Sequence, residues 1–185
     1  MLCGSVAVVT GGSRGIGLAV SRSLAESGAR VMVFSRESEV GRSRIASLPS
    51  ATDAPHEWHA CNVAEEDEVK RVFAAIRSSV GPIDILVNAA GMSSDALLMR
   101  TDGVAARNLM AVNALGPLYT MKAVIGGSHG MIRNRRGSIV NVGSVVGSCG
   151  NLGQAACVVG GDLGSCMICV ACAAPVSGSL ARACS

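Results

Sequence analysis

Short apolar runs alternate along the chain with longer segments in which apolar and polar positions are mixed. The apolar runs have the length of β-strands and cover residues 6–10, 30–34, 57–63, 83–87 and 137–142. The segments between them predict helices at residues 15–27, 37–48, 65–78 and 103–125. Strands that alternate with helices in this way are typical of a parallel α/β architecture. The pattern therefore predicts a parallel sheet with helices packed on its faces.

The segment 65–78 has the clearest helical pattern. It opens on four acidic residues, which suit the positive N-terminal end of a helix dipole. Its apolar positions then recur at the spacing of one helix face. These positions are Val69, Val72, Phe73 and Ile76. We expect this face to enter the core of the domain.

The pattern changes after residue 153. Residues 154–185 consist mainly of Ala, Gly, Ser, Cys and Val, with almost no charge and no helical or strand periodicity. We predict an ordered domain over residues 1–153 and a divergent tail over 154–185, and we interpret the change as an alternative exon or a shifted reading frame. The sheet would then be incomplete at its C-terminal end. Because such a sheet exposes apolar surface, an alternative is that the chain is not stably folded.

Composition narrows the class of protein. Hydrophobic residues make up 49% of the chain and charged residues 16%, which disfavours disorder. A net charge of +3 and an aromatic content of 2% argue against nucleic-acid binding. No apolar run approaches the roughly 20 residues of a membrane span. The first strand starts so early that we expect no cleavable leader.

The eight cysteines are unevenly distributed. Only Cys3 and Cys61 precede residue 149, so a secreted disulfide framework would leave most of the domain without cross-links. We therefore interpret the compartment as reducing. In the tail, Cys166, Cys169 and Cys172 have part of the spacing of an iron–sulfur site. Because the fourth cysteine is not where that pattern requires it and the intervening residues are apolar, we predict no metal site.

A glycine-rich turn, residues 10–17, joins the first strand to the first helix. A pyrophosphate needs close approach of the backbone, unhindered N–H donors and the N-terminus of a helix. Four glycines meet the first two needs, and the helix that starts near residue 15 meets the third. The glycines are Gly11, Gly12, Gly15 and Gly17. The alternative is a plain tight turn, but strand, turn and helix together favour a dinucleotide site in a Rossmann-type, doubly wound parallel sheet.

The residue after the second strand indicates which dinucleotide is bound. An acidic side chain there would accept hydrogen bonds from a ribose 2′-hydroxyl, whereas an arginine suits a 2′-phosphate. This chain has Arg36 there, with Arg14 already in the glycine turn. Two guanidinium groups favour NADP over NAD. The alternative is that Arg36 is a solvated surface residue and that Glu37 contacts the ribose.

Four motifs follow one another along the chain. They are Thr-Gly-x-x-x-Gly-x-Gly at residues 10–17, Asn88-Ala89-Ala90-Gly91 after the fourth strand, Asn113 in the long helix and Gly143-Ser144 after the fifth strand. With these motifs the chain resembles the short-chain dehydrogenase/reductase family from about residue 5 to Gln154. Within that family, the stretch 137–153 is most similar to 3-oxoacyl-(acyl-carrier-protein) reductases and mitochondrial carbonyl reductases.

The resemblance implies where NADP(H) is held. The residues it assigns to the cofactor are Gly11, Gly12, Ser13, Arg14, Gly15, Ile16, Gly17, Arg36, Asn62, Asn88, Ala89, Ala90 and Gly91. Ser13, Arg14 and Ile16 would contact the phosphates, and Arg36 the 2′-phosphate. Asn62 occupies the place of an Asp that the family usually has beside the adenine. This change keeps a hydrogen-bonding side chain but removes its charge.

The same resemblance assigns the remaining site residues. The segment 88–90 would line the adenosine side of the cleft, Ser144 would hold the substrate carbonyl, and Asn113 would belong to a water-linked proton relay. For Asn88 and Asn113, the residues alone leave open that each side chain simply satisfies backbone groups.

The proton donor of the family is missing. Carbonyl reduction needs a proton on the oxygen, which the family supplies from a Tyr whose pKa is lowered by a Lys four residues later. By the family's spacing these would be residues 157 and 161, where this chain has Cys157 and Gly161. Its single tyrosine is Tyr119 and neither of its lysines lies after Ser144. We do not expect the Tyr119–Lys122 pair, or Cys157 without a lysine, to replace the family's Tyr–Lys pair as proton donor.

The resemblance implies an NADPH-dependent reductase that transfers a hydride to a carbonyl of the 3-oxoacyl thioester or quinone type. The substrate would be a small molecule or bound to an acyl carrier. The family also implies a homo- or hetero-tetramer and the mitochondrial matrix, or otherwise the cytoplasm. Because the Tyr–Lys pair is missing, the alternative is a catalytically inactive protein that binds NADP or interacts with intact subunits.

Overall fold

The computed structural model of the protein describes residues 2–36, 39–50, 54–127, 129–149, 151–154 and 157. The strands are β1 (Val6–Thr10), β2 (Arg30–Ser35), β3 (Glu57–Ala60), β4 (Ile85–Asn88) and β5 (Ser138–Asn141). The helices are α1 (Gly15–Glu26), α2 (Glu39–Ala46), α3 (Glu66–Ser79), α4 (Gly103–Met110), α5 (Gly116–Ile125), α6 (Met131–Asn134) and α7 (Val146–Cys149).

The strands form one parallel sheet in the order β3-β2-β1-β4-β5. From β1 the chain adds β2 and β3 on one side and then crosses to the other side for β4 and β5. The order reverses between β1 and β4, and such a reversal opens a crevice at the carboxyl ends of the strands. The predicted Rossmann-type, doubly wound sheet is confirmed.

The core has two parts, one on each face of the sheet. The larger lies beneath α3 and α5, where Phe34 and Phe73 meet edge to face with ring centroids 5.2 Å apart. The smaller lies beneath α1 and α2 and includes Ile45 and Leu48. The predicted inward face of the third helix is confirmed, since Val69, Phe73 and Ile76 are fully buried and Val72 packs against them.

Strand β3 is shorter than the apolar run 57–63 predicts. Its ladder with β2 continues only to a hydrogen bond from the Cys61 N–H to the Ser35 carbonyl, 3.2 Å long. The chain then turns at Asn62, whose Oδ1 accepts from the Ala64 N–H at 3.3 Å and whose carbonyl accepts from the Glu65 N–H at 3.1 Å. An asparagine that bonds to the backbone two residues ahead makes a turn that competes with the strand.

The predicted long helix is present as α4 and α5, joined by the π-helical turn Ala111–Leu115. Pro117, in the first turn of α5, has no N–H to donate to the carbonyl four residues earlier, that of Asn113. The missing bond accounts for the wider turn, a feature often found at functional sites. Within the described ranges, no helix combines the length and apolar character needed to cross a bilayer.

Candidate cofactor and active site

A cleft with two halves opens at the carboxyl ends of β1, β2, β4 and β5. The first half has a volume of about 280 Å³ and is lined by the glycine turn, by residues 34–36 and by residues 61–63. The second half, about 290 Å³, is lined by Asn113, Pro117, Asn141 and the segment 142–144. The segment 89–92 lines both halves, so the two are adjacent. An elongated cleft of this kind suits an extended dinucleotide with a reacting group at one end.

The glycine turn is packed too closely for side chains at three of its positions, Gly11, Gly12 and Gly17. A Cβ on Gly11 would lie 2.7 Å from the Ala90 Cα, and the backbone there has a φ of +66°. A Cβ on Gly17 would lie 2.3 Å from the Gly11 carbonyl oxygen. The Thr10 hydroxyl oxygen also accepts from the N–H groups of Ala89 and Ala90, both at 3.2 Å. The turn and the segment after β4 therefore form one closely packed wall.

The start of α1 has the features that a phosphate requires. Arg14, the N-cap residue, makes no side-chain capping hydrogen bond, and the first turn contains no acidic residue. Gly15 has open space around it, and its φ of +51° is one that a glycine adopts readily. The first N–H groups of a helix without a side-chain cap, together with the helix dipole, attract an anion. The residues present thus fit the phosphates of a dinucleotide.

Arg14 and Arg36 both line the first half of the cleft, and both are exposed. Arg36 directly follows the last residue of β2, and Arg14 directly precedes α1. The structure therefore brings together the two guanidinium-bearing residues that the sequence singled out. Glu37, the alternative contact for the ribose, lies outside the described residues.

Asn62 lies on the wall of the first half, between Cys61 and Val63. Its Oδ1 accepts a hydrogen bond from the Ala64 N–H, so the side chain stabilises the turn that follows β3. Burial, with a smaller contribution from the Glu68 carboxylate, raises the pKa of the Cys61 thiol to about 12. The thiol is therefore protonated at neutral pH and is no nucleophile.

A buried chain of polar side chains runs beneath the second half. The Asn88 Nδ2 donates to the Asn141 Oδ1 at 2.9 Å, and the Thr120 hydroxyl donates to the Asn88 Oδ1 at 2.8 Å. Asn88 lines the second half of the cleft rather than the first, and its side chain is engaged in this network. The sequence analysis did not predict that Thr120 and Asn141 belong to this network. A signal for Asn141 was available, because Asn88 and Asn141 each end a strand and pair in register in the sheet.

Asn113 clamps the backbone of one residue in the shared wall. Its Nδ2 donates to the Met92 carbonyl and its Oδ1 accepts from the Met92 N–H, both at 2.9 Å. The side chain thus satisfies backbone groups, which was one of the two alternatives from the sequence, and in doing so it fixes the wall between the halves. Ser144 lies exposed at the second half, just beyond β5, and its Oγ is 3.4 Å from the Val146 N–H.

Cys157 does not present its thiol to solvent. It is 7% exposed, and its Sγ lies 4.0 Å from the Ser94 carbonyl oxygen. The preceding segment is held against the loop after β4, since the Gln154 Nε2 donates to the Asp95 Oδ1 at 2.9 Å. Gly161 lies outside the described residues.

The other candidates for the proton donor are engaged elsewhere. Tyr119 packs against the larger core cluster, and Lys122 pairs with Glu66 at 2.7 Å on the outside of α3. Within the part of the chain that the structure describes, no three His, Cys, Asp or Glu residues form a group that could hold a metal ion. Cys166, Cys169 and Cys172 are outside that part.

The profile of the family described as short chain dehydrogenase matches residues 5–157. Carbonyl reductase family member 4 of Xenopus laevis is 42% identical over 149 residues, which is 80% of this chain. The 3-oxoacyl-[acyl-carrier-protein] reductase of Bos taurus is also 42% identical over 149 residues, and that of Vibrio cholerae is 41% identical over 152 residues. The chain spans about 60% of the length of these curated relatives.

The fold is also similar to a solved structure, a metagenomic short-chain oxidoreductase in complex with NADP. The TM-score is 0.79 at 31% sequence identity, with 88% of this chain and 72% of the other chain covered.

Proposed function

The chain belongs to the short-chain dehydrogenase family, and on that basis we propose that it binds NADPH in the two-part cleft and reduces carbonyl compounds by hydride transfer. One observation carries the cofactor assignment. The start of α1, which has no side-chain cap, and the exposed residues Arg14 and Arg36 meet in one half of the cleft. The NADP complex of the similar metagenomic enzyme supports the same choice of cofactor.

In this proposal the first half of the cleft holds the adenosine and the phosphates. The N–H groups of the turn and of the first turn of α1 bind the pyrophosphate. Arg14 and Arg36 bind the 2′-phosphate through charge-assisted hydrogen bonds. Asn62 lies beside the adenine, and the segment 89–91 supports the adenosine from the opposite wall.

The second half holds the reacting groups. When bound there, the nicotinamide supplies the hydride. Ser144 donates a hydrogen bond to the substrate carbonyl and favours the charge that develops on its oxygen. Asn113 holds Met92 in place and, in the π-helical turn, is the candidate for a water-linked proton relay. The network of Asn88, Thr120 and Asn141 keeps β4 and β5 in register beneath these groups.

The proposed substrate is a 3-oxoacyl thioester or a quinone-like carbonyl, as a small molecule or carried by an acyl carrier. The names of the relatives, carbonyl reductase and 3-oxoacyl-[acyl-carrier-protein] reductase, support this class. We further propose residues 1–153 as the nucleotide-binding domain, residues 154–185 as a separate tail, a tetrameric state and a mitochondrial location.

A second candidate function is nucleotide binding without turnover. One observation favours it: Cys157, at the position of the family's tyrosine, is buried and directed at the Ser94 carbonyl. General acid catalysis contributes about 100- to 10,000-fold to a rate. A chain without the acid would therefore reduce carbonyls slowly or act only as a binding subunit.

Both candidates are tested by one experiment on the full chain. NADPH oxidation is followed with an acetoacetyl thioester and with a quinone, alongside NADPH binding measured by fluorescence. We expect binding together with slow, substrate-dependent oxidation that falls at least about tenfold in Ser144→Ala, because a hydrogen bond to the carbonyl oxygen is lost. Binding without oxidation would instead establish the second candidate. Absence of binding would contradict both.

A further inference from the structure

Arg44 lies on α2, outside the residues that line the cleft, yet it reaches the glycine turn. Its Nη1 donates to the Ser13 carbonyl oxygen at 2.7 Å, across 31 positions of the sequence. Ser13 is buried, and Ser13 and Arg14 both line the first half of the cleft. We propose that Arg44 is a positioning residue for the phosphates of the cofactor, acting by fixing the peptide between Ser13 and Arg14. This inference rests on the proposed binding of NADPH.

The geometry of a peptide unit explains the effect. In a trans peptide the carbonyl and the N–H point in opposite directions. Holding the Ser13 carbonyl toward α2 therefore directs the Arg14 N–H away from α2. The next carbonyl, that of Arg14, accepts the Leu18 N–H at 3.1 Å. Both peptide units that flank the Arg14 side chain are thus fixed, and the guanidinium on the Ser13 oxygen also polarises the amide and strengthens its N–H as a donor.

Helix α2 is also linked to the cleft through Trp58. A Cβ on Gly41 would lie 2.5 Å from the Trp58 Nε1, so the absence of a side chain lets the ring approach α2. The same Nε1 donates to the Ser35 Oγ at 2.7 Å. Ser35 lines the first half of the cleft, directly before Arg36. The two segments that carry Arg14 and Arg36 are therefore both braced against α2, one through Arg44 and the other through Trp58.

A matched control is available on a helix away from the cleft. Arg133, on α6, is exposed like Arg44 and carries the same charge. Neither Arg133 nor Arg44 lines either half of the cleft. Arg133→Gln and Arg44→Gln thus change the net charge equally, while only the second removes the bond to Ser13.

The test is the dissociation constant of NADPH and of NADH for the full chain and for Arg44→Gln, Arg44→Lys and Arg133→Gln. We expect Arg44→Gln to raise the Kd for NADPH about tenfold, in line with one lost charge-assisted hydrogen bond, and the Kd for NADH only about threefold. The Kd for NADPH rises more because only NADPH has the 2′-phosphate that the Arg14 side chain binds. Arg44→Lys keeps a charged donor and should stay within about threefold of the parent. Arg133→Gln should stay within about twofold of the parent.

The inference is overturned by an unchanged NADPH affinity in Arg44→Gln, or by equal losses for both nucleotides that Arg133→Gln shares. If Arg44→Gln does not fold, Arg44→Lys decides, since a loss of NADPH affinity beyond about threefold would contradict the expected rescue by a charged donor. A parent chain that binds neither nucleotide would refute the proposed function itself. A parent that binds NADPH beside an unaffected Arg44→Gln would refute this inference alone.

Discussion

Replacing Arg14 and Arg36 together by glutamine is expected to weaken NADPH binding about 1,000-fold, while the affinity for NADH changes no more than about threefold. Both arginines are exposed and line the first half of the cleft. A hydrogen bond to a charged group contributes about 1.5–3 kcal/mol, so two of them contribute about 3–6 kcal/mol. This corresponds to about two to four powers of ten in the Kd for NADPH. NADH lacks the 2′-phosphate and therefore loses little.

The measurement is a fluorescence titration of each variant with NADPH and NADH, at one ionic strength because salt screens these charges. Arg22→Gln combined with Arg133→Gln is the matched control, since both residues are exposed, lie outside the cleft lining and change the net charge equally. An equal loss of both nucleotides, or a loss of NADPH affinity in the control, would show that the arginines do not bind the 2′-phosphate.

The second large effect is expected for Gly17→Ala. The added Cβ would lie 2.3 Å from the Gly11 carbonyl oxygen and 2.8 Å from the Gly11 carbonyl carbon, so the turn has to move. Overpacking of this kind costs about 1–3 kcal/mol of folding free energy. A shift of about 1 Å in a binding element can reduce function about 100-fold. We expect a lower midpoint of urea unfolding and at least about a 100-fold loss of NADPH affinity.

Gly81→Ala separates these two consequences. Gly81 has a φ of +113° and open space around it, so an alanine there is strained by its backbone conformation but displaces no neighbouring atom. This variant should lose stability and keep its NADPH affinity within about twofold. If Gly17→Ala behaved in the same way, the close packing of the turn would have no part in cofactor binding.

The order and type of the main elements could be predicted from the sequence because local patterns determine them. Four of the five residues of the strand Val6–Thr10 are apolar and all five are buried, and its predicted and observed bounds agree. The end of β3 was predicted too late, because Val63 continues an apolar run while Asn62 forms a turn with its own neighbours. Hydrophobicity does not report such a side-chain bond.

The glycine turn could be predicted from the residues alone because one segment of the chain carries its chemistry, whereas Asn62, Asn113 and Ser144 were assigned by the family resemblance. The glycine turn was visible because its strand, glycines and helix are consecutive. The bond from Arg44 to Ser13 and the network of Asn88, Thr120 and Asn141 join residues that are 31 or more positions apart. Their partners follow from how the helices pack on the sheet, which the local pattern does not specify.

The buried position of Cys157 likewise depends on contacts between residues that are far apart in the sequence. The sequence established that a cysteine replaces the expected tyrosine, but not that its thiol is directed at the Ser94 carbonyl. That orientation depends on the docking of residues 151–154 against the loop after β4, through Gln154 and Asp95.

The central claim, that this cleft is a site for NADPH, is tested most directly by one ratio, the Kd for NADH divided by the Kd for NADPH of the unmodified chain. Trp58, the single tryptophan, bonds to Ser35 on the wall of the cleft, so its fluorescence offers an intrinsic signal. Two guanidinium groups on one phosphate predict a ratio of at least about ten. A ratio near one or below it, or no binding of either nucleotide, would contradict the account.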